Sequence, residues 1–257
     1  MMLQSLGIVC ALIGGATSQL CAQIVPPSDA GRGTARWIVE QLYSPDGFPD
    51  RAEYYAGEMS AYAERPSFGE RLSSDDQTSY RELYSDDDHS VYAITISWST
   101  GASDVYASLR KQPEGWKVLA MRSLALPPLY YHYRDTLAAQ TELTLEERLT
   151  LARMRLATSS DATLREFARS NRSVLDSLVQ QVVAGDTGSQ PSLTFPWRLA
   201  RSVDECERCV LVLIDGMIDN EVGFLYVPNP RDVPVMSPKR YILVEPIGGG
   251  WYLYKTT

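Results

Sequence analysis

The spacing of apolar residues changes twice along this 257-residue chain, and that change constrains the fold more than any motif does. From Val91 to Trp98, the side chains of Tyr92, Ile94, Ile96 and Trp98 alternate with Ala93, Thr95 and Ser97. Alternation at period two predicts a half-buried strand, because successive side chains of a strand point to opposite faces. Ser99-Thr100-Gly101 turns the chain, Val105, Ala107 and Leu109 alternate again, and Pro113-Glu114-Gly115 turns it once more. Residues 116–124 complete a three-strand meander, with Trp116, Val118 and Ala120 predicted on one face. At Pro127-Pro128 the strand signal stops and helical spacing begins. Thr144-Leu145-Glu146-Glu147 is a capping box, which fixes the start of a helix ending near Ala157. Asp161 is read as the cap of the next helix, whose apolar stripe is Leu164, Phe167, Leu175, Leu178 and Val182 and whose end is Gly185. Strand signals then return at 210–214 and 223–227. Residues 241–244 and 251–254 read as a hairpin through Pro246-Ile247-Gly248-Gly249-Gly250.

Upstream of the meander the period is helical. A helix is predicted from about Thr34, with Trp37, Ile38 and Leu42 on its dry face, ended by Ser44-Pro45-Asp46-Gly47. Further helices are expected over 53–64, where Tyr55, Met59 and Tyr62 repeat at helical spacing, and over 74–84. Segregated helices and antiparallel strands make the fold class α+β. The divisions expected are a helix-plus-antiparallel-meander domain at 34–126, a helical segment at 127–186 and a small antiparallel β-rich region at 187–257. A hinge is expected near Pro127-Pro128 or in the polar, glycine-rich stretch 185–192.

Residues 1–22 have the layout of a secretory signal peptide. They carry no charged side chain, and the apolar run Leu6 to Ile13 is too short for a bilayer of ~30 Å hydrocarbon. Leu20-Cys21-Ala22 followed by Gln23 reads as a cleavage site. Ser18-Gln19-Leu20 does not fit a lipobox before Cys21, so a lipid anchor there is not expected. The chain is therefore read as exported, periplasmic or secreted. Removing that segment takes Cys10 and Cys21 with it and leaves Cys206 and Cys209, which in an oxidising compartment are most simply a disulfide. No later stretch approaches the ~18 consecutive apolar residues of a transmembrane helix. A net charge of −8 argues against nucleic acid, whose binding rests on neutralised phosphates.

The sequence carries few chemical signatures. Cys206-Glu207-Arg208-Cys209 lies in a charged loop that runs into a strand, whereas a redox-active pair sits at a helix N-terminus, where the dipole lowers the thiol pKa. Asp86-Asp87-Asp88-His89 lacks the alternating acids, glycine and distant glutamate of a calcium loop and reads as an acidic turn. Asp215-Gly216 with Asp219-Asn220-Glu221 reads as a second turn. There is no H-E-x-x-H and no G-x-S-x-G. His132, inside Tyr130-Tyr131-His132-Tyr133, is read as packing. Gly248-Gly249-Gly250 precedes a strand, whereas phosphate cradles precede helices. No catalytic residue, metal ligand or cofactor is assigned. Tyr55, Tyr92, Trp98 and Trp116 are the candidate pocket aromatics.

Residues 34–125 resemble the NTF2-like (cystatin-like α+β cone) superfamily. The order carries the likeness: a helix with Trp37-Ile38-Val39, a helix with Tyr54-Tyr55, then a meander ending in Gly115-Trp116-Lys117-Val118. The resemblance implies a pocket between helices and concave sheet, which some members use for binding and others for Asp/His catalysis. Residues 161–257 are similar to bacterial exported proteins of unknown function, through Leu164-x-x-Phe167-x-x-x-Asn171-Arg172, Gly223-Phe224-Leu225-Tyr226 and Trp251-Tyr252-Leu253-Tyr254. Together these point to a non-enzymatic envelope protein that binds a small molecule or a protein partner. The alternative is a secreted hydrolase using paired carboxylates, whose separation sequence does not reveal.

Overall fold

The period-two segments form two antiparallel sheets. A computed structural model describes residues 30–185, 196–203, 206 and 208–257. The predicted signal segment and most of the 185–192 stretch lie outside the described residues. The first sheet has four strands in sequential order: β1 (Gln77–Ser85), β2 (His89–Trp98), β3 (Gly101–Gln112) and β4 (Gly115–Arg122). The second runs in the order β5-β6-β7-β9-β8, from β5 (Leu199–Ser202), β6 (Val210–Met217), β7 (Asn220–Tyr226), β8 (Tyr241–Gly248) and β9 (Trp251–Thr256). Helix α1 (Ala35–Leu42) precedes the first sheet. Helices α2 (Pro128–Ala138), α3 (Leu145–Ala157), α4 (Asp161–Ser170) and α5 (Arg172–Val183) lie between the two. The α+β class is thus observed.

The capping box forms as read. Thr144 Oγ1 accepts from the Glu147 N–H, and the Glu147 carboxylate accepts from the Thr144 N–H. Three local expectations differ. Residues 53–64 do not form one α-helix but two 3₁₀ turns, Arg51–Tyr54 and Gly57–Tyr62. Between them Tyr55 is extended, the Ala56 N–H donates to the Val118 carbonyl, and Gly57 is left-handed, so the helical ladder cannot continue. Residues 77–85 are strand, not helix. Their Thr78, Tyr80 and Glu82 pair along β2, and that pairing settles a stretch whose polar residues carry little helical or strand signal of their own. The cap of α4 is Ser160, whose hydroxyl accepts from the Thr163 N–H, while Asp161 is the first helical residue and is buried. The long helix expected beyond it is broken at Asn171 into α4 and α5. Gly185 follows α5 with φ of 87°, as a helix-ending glycine should.

The first sheet is covered on both sides. One face carries Tyr80, Tyr92, Ile94, Ala107, Leu109 and Val118 and packs on α1 and the 3₁₀ turns through Ile38, Leu42, Phe48, Tyr55 and Met59. A register shift between Ser108 and Leu109 sets Ala120 opposite Ser108, so Ala120 leaves the face shared by Trp116 and Val118. The other face contributes Ala93 and Tyr106 to a large core with α2–α5 and the second sheet, including Leu137, Leu164, Leu175, Phe224 and Trp251. The alternation in β2 is real, but its supposed wet face is buried as well. Period two separates faces and does not say which one meets solvent.

Candidate functional site

The pocket expected between α1 and the concave sheet is filled by side chains. Tyr55 and Tyr92 are both buried there, and the Tyr55 ring meets Phe48 edge-on at 6.0 Å. The Tyr92 hydroxyl donates to Glu82 at 2.6 Å. Burial pushes the Tyr55 hydroxyl up to about 12, partly offset by Arg51. Trp116 packs against the same cluster from its edge. Trp98 is 43% exposed at the end of β2, where its ring lies against Gly101. The four aromatics therefore do not converge on one cavity.

The groups that do converge lie at the seam between the sheets, and sequence reasoning singled out none of them as chemistry. Arg81 (β1), Thr95 (β2) and Asp104 and Tyr106 (β3) face Asp161 and Arg165 (α4), Glu245 (β8) and Lys255 (β9). Asp161 is 0% exposed and Asp104 6%. Asp161 Oδ1 accepts from the Tyr106 hydroxyl at 2.7 Å and lies 2.8 Å from Lys255 Nζ. Its Oδ2 lies 2.8 Å from Arg81 Nη2. Arg81 also pairs with Glu245 at 2.9 Å, and Arg165 closes on the same carboxylate. Asp104 accepts from the Thr95 hydroxyl at 2.5 Å and from the Asp161 N–H at 2.7 Å. Burial, and then the charge of Asp161, push the Asp104 carboxyl up. Burial also pushes Asp161 up, but Lys255, Tyr106 and Arg81 together outweigh it and hold this carboxyl below its ordinary value. Asp104 and Lys255 lie at the edges of segments with strand periodicity, and nothing local in the sequence marks them as neighbours.

A crevice enclosing only about 10 Å³ opens beside this seam, lined by Val91, Tyr106, Ser108, Arg122, Tyr241 and Ile242. That is smaller than the ~300–1,000 Å³ typical of small-molecule pockets. Its guanidinium is engaged: Arg122 donates to the Pro238 and Met121 carbonyls at 2.9 and 3.1 Å and to Glu58. His89 Nε2 lies 3.3 Å from the Ser108 hydroxyl. A serine nucleophile needs its histidine oriented by a third group. The nearby Asp86 carboxylate instead accepts from the Tyr84 hydroxyl and from the backbone N–H groups of Asp88 and His89, which together hold it down to about 2. The acidic loop is thus a turn, as read. His132 is exposed on α2, not packed.

Cys206 and Cys209 are joined as a disulfide with Cα atoms 5.4 Å apart. Among the described residues, no group of three or more His, Cys, Asp or Glu side chains could hold a metal ion, and no helix is long and apolar enough to cross a membrane.

The β6–β7 turn carries Met217 and Ile218 into solvent. Ile218 is 95% exposed and holds φ of 59°. The Ala125 N–H donates to Asn220 Oδ1, and the buried Tyr130 hydroxyl donates to Asp215 at 2.9 Å. These bonds tie the segment before α2 to the turn and the first turn of α2 to β6; Leu129, beside Tyr130, is 72% exposed. No family model matches the chain, and no curated protein or solved structure matches it either.

Proposed function

We propose that this chain is an exported bacterial envelope protein, NTF2-like over its first half, that works by binding a protein partner. The observation that carries the reading is Ile218: a β-branched side chain almost wholly in water, on a backbone conformation that such residues rarely take. Strain of this kind persists where surrounding structure imposes it, and it gathers at recognition sites. Met217, the preceding residue, is 42% exposed and adds a second apolar side chain to the same turn. The filled concave face supports a protein partner over a small ligand, because it leaves the cone no room for one. The packing of α1 and the 3₁₀ turns on the meander supports the NTF2-like reading.

The paired-carboxylate alternative would rest on Asp104 and Asp161, whose surroundings drive ionisation in opposite directions. General acid–base chemistry needs both within reach of substrate, and Asp161 is fully enclosed with both oxygens engaged.

A photo-crosslinking residue at Ile218, in protein expressed in a bacterial envelope, should give one discrete adduct. A Met217→Asp change should abolish it, while the same crosslinker at exposed Lys239 should give none. Equal labelling from both positions, or turnover of glycan or peptide panels lost in Asp104→Asn, would reject partner binding.

A further inference from the structure

The seam between the two sheets combines three buried acids with three bases, and the acids are not held alike. Asp161 meets two cations and a hydroxyl directly. Glu245 meets the guanidinium groups of Arg81 and Arg165. Asp104 meets only neutral donors, the Thr95 hydroxyl and the Asp161 N–H, and lies beside the Asp161 charge. Lys255 acts on it from a distance while bonded to Asp161. We propose that the seam is a protonation-tuned clamp: in mild acid Asp104 takes up a proton while Asp161 stays ionised, and the two sheets are held most tightly in that state. This stands independently of the proposed partner surface.

The physical cause is the unequal pairing. Burial and the like charge of Asp161 favour protonated Asp104 and outweigh Lys255 and the two neutral donors, which favour its charged form, whereas a carboxylate with cations in contact keeps its charge. Protonated Asp104 can still accept the Asp161 N–H through one oxygen and hydrogen-bond through the other, so the seam loses repulsion without losing its bonds. The other groups facing it do not reverse this. Burial and the charges of Asp161 and Asp104 raise the Tyr106 hydroxyl well above its ordinary value, so it remains a donor. Lysine and arginine ordinarily titrate far above the acid range.

The sign follows from linkage. The folded chain binds the Asp104 proton more tightly than the unfolded chain does, so stability rises as pH falls into the window between the two values. Asp161 acts oppositely: its stabilising charge is present above its unfolded value and is lost as pH falls through its lower folded one. The profile should therefore climb from neutral to mild acid and then collapse.

Thermal unfolding of the whole chain across that range, for wild type and Asp104→Asn, tests it. The wild-type midpoint should rise in mild acid before falling. Asp104→Asn, which carries a neutral amide at every pH, should start at the raised level, show no rise and keep the collapse. Carboxyl carbon titration of the wild type by NMR requires no variant: Asp104 should titrate above the ordinary aspartate range and Asp161 below it. A wild-type profile that falls monotonically from neutral, an Asp104→Asn profile parallel to wild type, or an Asp104 carboxyl titrating at or below the ordinary range would overturn the proposal.

Discussion

Ile218 is the first of two residues joining Met217 to Asn220, and its φ of 59° makes the turn one that favours glycine at that place. A left-handed backbone costs an L-residue roughly 1–2 kcal/mol, and glycine gives part of this back through its greater unfolded freedom. Ile218→Gly should therefore stabilise the fold by about 0.5–1 kcal/mol, since no core contact is lost with an exposed side chain. A urea titration measures it. A destabilised variant would mean that the side chain supports the turn and is not held out for recognition. Single residues were legible in the sequence where their chemistry is local. Cys206 and Cys209 lie three apart and are joined, and Asp86 caps its own turn. Asp104 was not legible, because a lone aspartate in an alternating stretch looks like strand surface.

The turn between β8 and β9 shows how elements lock each other. Arg172, at the start of α5, donates to the carbonyls of Gly248 and Gly249 at 2.9 and 3.0 Å. Its Nε and the Trp251 indole N–H both donate to Asp176 Oδ1 at 2.9 Å. Gly249 has φ of 55°, and a Cβ there would fall 1.9 Å from Arg172 Nη2. Gly249→Ala should cost more than about 1 kcal/mol, from backbone strain and from displacing the guanidinium together. Raised hydrogen exchange in the first turn of α5, remote from the mutated hairpin in sequence, would report that displacement; a change confined to the hairpin would contradict it. The hairpin was read correctly, but its turn is shorter than read: β8 continues through Pro246-Ile247-Gly248, and only Gly249-Gly250 turn the chain. The use of those glycines, to admit an arginine from a helix 77 residues away, is tertiary.

The two sheets share a core and a charged seam. Ala93 and Tyr106 from the first pack with Leu164, Phe224 and Trp251, while Arg81, Asp161, Glu245 and Lys255 bridge the same junction. Removing one member of a buried ion pair leaves its partner uncompensated, at a cost of roughly 3–5 kcal/mol. Lys255→Met should fall near the lower end, because Asp161 keeps Arg81 and the Tyr106 hydroxyl. Far-ultraviolet circular dichroism and tryptophan fluorescence should lose stability together in this variant. Separated transitions would show that the seam does not couple the sheets.

Where the chain is strand, where it is helix and where it turns were largely readable from hydrophobic period, glycine, proline and the Thr144 capping box. These depend on contacts within a few residues. The sequence misplaced structure where that local signal was weak. Residues 77–85 became a strand only through β2, and 53–64 were broken by the bond from Ala56 to Val118. The filled space between α1 and the first sheet, the burial of the second face of β2 and the assembly of Asp104, Asp161, Glu245 and Lys255 were decided by tertiary structure alone. Their members lie as far as 164 positions apart, as in the Arg81–Glu245 pair, and no periodicity encodes which of two faces another sheet will cover.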